Sequence, residues 1–304
     1  MSPRHGNVNN TVSPTVIMYC ATFRLGTAYV ALALLGAIAG CTAAHVPLSE
    51  FRGSLASNEE LVFLETRPNV TTRVLLTKPS SIPKGIVLHF PGGEGFLVNA
   101  NGNLYEAFRR ELAAAGHVVA VVDVPSDHSG GLGGQGEYVE RFRIGAEHTQ
   151  DARAIVNKLH ARWPAPVYLM GHSMGAISAS HLAASLDDKR LAGVVLLGSP
   201  SERGPRASWI SVPSAALDRV TVPVVIVHHR NDGCSGSTFA MASRYPRTFT
   251  ASPRVGFIEV VGGASPSPDP CSGTNYHSFF GRRRHAMEAV VRWIAGENVS
   301  RVGD

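Results

Sequence analysis

Six short, largely apolar runs recur through the chain at helix-length intervals: residues 85–90 (GIVLHF), 117–124 (HVVAVVDV), 166–170 (PVYLM), 192–198 (AGVVLLG), 222–227 (VPVVIV) and 255–261 (VGFIEVV). Strands that are half exposed alternate apolar with polar, whereas strands covered on both faces read as continuous apolar runs, the pattern of a parallel sheet between two layers of helices. Helical segments are expected at about 104–115, 145–160, 174–186, 238–244 and 280–295, and short strand signals at 61–64 and 73–77 precede the first long run. The expected class is therefore α/β, a mostly parallel sheet flanked by helices on both faces. There is no internal repeat, and a mature chain of about 260 residues is long enough for one large core.

One junction carries chemistry. Gly171-His172-Ser173-Met174-Gly175 lies directly between the PVYLM run and the helical run beginning at Met174. A strand turning sharply into a helix needs a strained turn residue with small neighbours, and it thrusts that residue's side chain out at the top of the sheet. The helix start behind it adds free N–H groups and a positive dipole end, suited to a site where negative charge develops. This pattern resembles the nucleophile elbow of α/β-hydrolases.

The resemblance implies a serine nucleophile followed in chain order by an acid and a histidine. Ser173 is the expected nucleophile. Asp232, in the loop after the VPVVIV strand, is the expected acid, with Asp123 at the end of HVVAVVDV as its rival. His277, in the Gly/Ser/Pro-rich loop after VGFIEVV, is the expected base. His285 sits among arginines of the last helix, His228 and His229 come too early in the chain, and His172 reads as a packed residue of the elbow. Pro91-Gly92-Gly93-Glu94-Gly95 looks like the family's oxyanion loop, so the N–H of Met174 is paired with that of Gly93 or Glu94, between which the sequence does not choose. Only about twenty residues, 199–219, separate the strand signals on either side, so no large cap domain is expected; a cover over the site falls to residues 126–135 (SDHSGGLGGQ).

The N-terminus points to export. Residues 27–40 form an apolar run too short for a membrane span, Arg24 precedes it, no acidic residue occurs before Glu50, and counting from Met18 gives a leader of more ordinary length than counting from Met1. Ile38-Ala39-Gly40-Cys41 resembles the lipobox of bacterial lipoproteins, which implies cleavage before Cys41 and lipidation of that residue. The expected organisation is a signal peptide over 1–40, a linker over 41–57 and a catalytic domain over 58–298. Of four cysteines, Cys20 leaves with the leader and Cys41 takes lipid. Cys234 and Cys271 remain, either bridged, as an oxidising compartment favours, or as two buried thiols.

The net charge of +5 falls to +3 without Arg4 and Arg24, and the basic residues are scattered apart from Arg282-Arg283-Arg284, read as a solvated helix face. Nothing calls for nucleic acid, a metal or a cofactor. The resemblance thus implies a serine hydrolase acting on a small-molecule or polymeric ester, tied to a membrane through an N-terminal lipid, with its oligomeric state open. Acyl transfer or thioester hydrolysis would use the same residues, and a non-catalytic binding lipoprotein of the same fold is the rival from another class.

Overall fold

The computed structural model describes residues 55–93, 95–97, 102–128, 141–202 and 210–303. The expected signal peptide, Cys41 and most of the linker lie outside the described residues, as do Glu94 and the larger part of the 126–135 cover.

Nine strands form one sheet in the order β1-β2-β4-β3-β5-β6-β7-β8-β9. β1 (Glu59–Arg67) and β2 (Val70–Thr77) are an antiparallel hairpin, and β2 also lies antiparallel to β4 (His117–Pro125). All later pairings are parallel, through β3 (Gly85–Phe90), β5 (Val167–His172), β6 (Leu191–Leu197), β7 (Val224–His229), β8 (Val255–Val260) and β9 (Arg301–Val302). The fold is that of an α/β-hydrolase, with no large cap among the described residues.

Side chains of a strand point alternately to opposite faces, and here both faces are packed. Along β3, Ile86, Leu88 and Phe90 enter one core while Val87 enters the other. The first core is closed by α2 (Ala146–Arg162) and α3 (Gly175–Ser185), through Ile155, Leu159, Ile177 and Leu182. The second is closed by α1 (Gly102–Ala114) and the long final helix (Arg283–Ile294), through Phe108, Leu112, Met287, Val290 and Trp293.

Two expectations need correction. The segment 238–244 is helical only over Phe239–Ala242 (α4), and a 3₁₀ turn, Tyr245–Thr248, follows with Pro246 near its start. Proline donates no N–H and cannot continue an α-helix. The run 255–261, the final strand signal in the sequence and so its expected last strand, is followed by one more: beyond residue 298 the chain returns after the final helix, hereafter α5, and Val302 pairs with Val260. Two residues are too few to show a periodic pattern in sequence. Among the described residues, no helix is long and apolar enough to cross a membrane.

Candidate active site

β5 runs into α3 through only two residues, Ser173 and Met174, and the φ of Ser173, 51°, lies in the left-handed region. A non-glycine residue costs about 1–3 kcal/mol there, and surrounding structure has to enforce it. The enforcement is steric. A Cβ on Gly171 would fall 2.1 Å from the Gly175 carbonyl oxygen, and one on Gly175 would fall 1.9 Å from that of Phe90, so both flanking positions must be glycine. The Ser173 N–H donates to the Leu197 carbonyl on β6 at 2.8 Å, anchoring the turn.

The loop after β8 brings His277 to this serine. His277 Nε2 lies 2.9 Å from Ser173 Oγ, and Nδ1 lies 2.9 Å from Asp232 Oδ2. A carboxylate only accepts, so Nδ1–H donates to Asp232 and leaves Nε2 as the acceptor for the serine hydroxyl proton. Asp232, just beyond β7, has a fully buried side chain and receives the Cys234 N–H on Oδ1 at 2.9 Å. Burial alone would raise its pKa, but the charge and hydrogen bonds of His277 and His228 hold it well below the usual carboxylate range.

Asp123 is not brought to His277. Its carboxylate receives Arg73 Nε at 2.7 Å and the N–H groups of Leu97 and Val124 at 2.8 and 3.0 Å, and burial nevertheless raises its pKa. His172 is buried, and its Nε2–H donates to the His277 carbonyl at 3.1 Å; burial drives its pKa down to about 3, so the ring is a neutral strut beneath His277. His285 is half-buried on α5.

The elbow's neighbour Met174 caps α3 in helical geometry, φ −53° and ψ −28°. Opposite it, the loop after β3 packs on the serine: a Cβ at Gly92 would lie 3.0 Å from Ser173 Cβ. Gly93 is exposed at φ 56°. Cys234 and Cys271 are joined, tying the loop that carries Asp232 to the loop that carries His277.

Several residues take part in the site in ways not read from the sequence. His228 Nε2–H donates to Asp232 Oδ2 at 3.2 Å and also to the Ser237 carbonyl. Its position on the strand that delivers Asp232 was the available signal. Arg283, expected on a solvated face, is half-buried: it donates to the Ser278 carbonyl at 3.2 Å and to the Gly273 carbonyl, pinning the base loop from outside. Asn275 Nδ2 pins it from inside through the Ser267 carbonyl at 2.8 Å. Away from the site, Asp127, His128 and Glu147 cluster, but Arg67 Nη1 sits among them, 2.8 Å from Asp127 and 3.7 Å from Glu147, and supplies the positive charge.

Residues 82–250, more than half the chain, match the model of the family described as "Serine aminopeptidase, S33". That span takes in Ser173 and Asp232 and stops short of His277. Among solved structures, the chain is similar to Est1E from Butyrivibrio proteoclasticus, with TM-score 0.55 and 14% identity over 78% of this chain and 98% of that one. It is similar to a dienelactone hydrolase from Anabaena variabilis, with TM-score 0.56 and 17% identity over 79% and 98%. An alpha-beta serine hydrolase homologue from Coxiella burnetii gives TM-score 0.54 and 20% identity over 79% and 99%. At these identities the likeness concerns the fold. No curated protein matches the chain in sequence.

Proposed function

The chain belongs to the serine aminopeptidase S33 family of α/β-hydrolases, and from that premise we propose that it cleaves carboxylic esters through an acyl-enzyme on Ser173. The observation that carries this reading is the unbroken relay from Ser173 Oγ to His277 to Asp232, with both links at 2.9 Å. A serine hydroxyl is a poor nucleophile until a base removes its proton. His277 takes that proton as Oγ attacks the ester carbonyl, and Asp232 holds the imidazole's tautomer and stabilises the imidazolium. The carbonyl oxygen, now negative, rests on the Met174 N–H and an N–H of the loop after β3. His277 then protonates the departing alcohol, and water repeats the sequence to release the acid.

The same reading places the protein outside the cytoplasm, with residues 1–40 as a signal peptide and Cys41 lipidated. A Cys234–Cys271 bridge accords with an oxidising compartment. Esters are the first substrates to test because an alcohol or phenol leaves far more readily than an amine. Hydrolysis of p-nitrophenyl acetate and butyrate by residues 42–304 should show a burst of p-nitrophenol equal to the enzyme concentration when deacylation is slow, and steady turnover otherwise. Added alcohol acceptors measure how far acyl transfer competes with water. Neither burst nor turnover, from protein that melts cooperatively, would overturn the proposal.

A further inference from the structure

The loop after β3 carries its functional N–H on a short stretch of backbone whose other groups are tied down. The Gly92 N–H donates to the Tyr105 hydroxyl at 2.7 Å. The Gly92 carbonyl accepts from the Gly95 N–H at 3.1 Å. The carbonyls of Pro91 and Gly93 both accept from Arg143 Nη2, at 3.0 and 3.1 Å. The Gly93 N–H is the one group of this stretch, Gly92 through Gly93, with no acceptor among the described residues. Gly93 is exposed, and a Cβ there would meet nothing within 4 Å among the described residues, which leaves room beside it for a ligand.

Arg143 does more than hold the loop. The residue is buried, 4% exposed, and its Nη1 donates to Ser178 Oγ on α3 at 2.8 Å. Ser178 lies about one turn along the helix that begins just after Met174. One rigid, planar fork therefore spans the two elements that carry the two expected oxyanion donors, the helix behind Met174 and the loop bearing Gly93. Gly95 leaves the fork its room: a Cβ there would lie 2.9 Å from Arg143 Nη2. Donors placed in advance stabilise a developing charge because they need no reorganisation at the moment of reaction.

We infer that Gly93 supplies the loop's oxyanion N–H and that Arg143, with Tyr105, is the positioning residue that sets its distance from the Met174 N–H. This rests on the ester-hydrolase reading above. Arg143 and Tyr105 are both buried and act through the loop backbone, so the loss of either should act on transition-state binding and spare the binding of the ground state.

The test compares wild type, Arg143→Ala, Arg143→Lys and Tyr105→Phe by kcat and KM for p-nitrophenyl butyrate and by affinity for a trifluoromethyl ketone, whose adduct with serine places an oxyanion in the same position. Arg143→Ala should lower kcat about 10–100-fold, up to what removal of one oxyanion donor costs, with KM within about twofold. Affinity for the ketone should fall by the same factor, because an analogue follows the transition state. Arg143→Lys should recover part of both losses. Tyr105→Phe, which removes only the oxygen that accepts from Gly92, should show a smaller parallel loss, and it decides the matter if Arg143→Ala does not fold. Lower activity with unchanged ketone affinity per active site would mean a merely structural role and overturn the inference. So would variants equal to wild type. A wild type that neither turns over the ester nor binds the ketone would remove the ester-hydrolase reading itself, and the clamp with it.

Discussion

Ser173 occupies a backbone conformation that its type disfavours, and two glycines without room for a methyl hold it there. That expenditure of stability at one residue is the reason the elbow was readable from sequence, since Gly171 and Gly175 are demanded by contact distances and not by fashion of turn. The acid was less readable. Asp123 lies near the end of apolar β4 and Asp232 just beyond apolar β7, and the partners separate them: Arg73 neutralises the first, and His277 and His228 donate to the second. Asp232→Asn should therefore lower turnover by about 10⁴, because an amide reverses the imidazole's preferred tautomer. Asp123→Asn should instead cost about 3 kcal/mol of stability, the low end for breaking a buried pair, with kcat of the folded protein nearly unchanged. Denaturant titration and steady-state kinetics on the two variants check both halves, and a kcat ranking the other way round would move the acid to β4.

At the scale of elements, the base loop has no regular structure longer than the 3₁₀ turn Tyr276–Ser278, yet it must place an imidazole to within a few tenths of an ångström. It is held by Asn275, by Arg283, by His172 from beneath and by the Cys234–Cys271 bridge. The positions of the central strands β3 to β7 were legible because their residues are largely buried on both faces; these struts were not, because each joins side chain to backbone across distances that no local pattern records. The bridge spans 37 residues, and closing a loop of that length stabilises by about 4 kcal/mol in the chain-entropy treatment. Reduction should lower the melting temperature, and it should reduce esterase activity at temperatures where circular dichroism still shows a folded protein, since the acid and base loops lose their mutual tether before the sheet yields. A thiol titration of denatured, unreduced protein lacking residues 1–41 should find none; two free thiols would contradict the bridge.

Across the whole molecule, the sheet buries several histidines as neutral rings, and this sets its response to acid. Burial lowers the pKa of His89 and of His172 from 6.5 to about 3. Between those values the unfolded chain binds protons that the folded protein refuses, so stability rises with pH across that window and falls on acidification. Each of the two groups contributes up to about 1.4 kcal/mol per pH unit. Asp232 acts in the same direction lower down: its folded pKa is depressed below 3.8, so the stability it provides is present above that value and is lost below it. Burial also holds His148 well below 6.5, so urea unfolding between pH 7 and 4 should show the midpoint dropping with an uptake of at least about three protons at the lower end; a flat profile would mean the rings are not held neutral. The central claim is that Ser173 is an activated nucleophile at the end of β5, and a fluorophosphonate tests it most directly because only an activated serine reacts. Mass spectrometry after labelling should find one adduct per chain, on the peptide containing Ser173, and none in Ser173→Ala or after prior denaturation. An unlabelled native protein, or an adduct on another serine, would contradict the account.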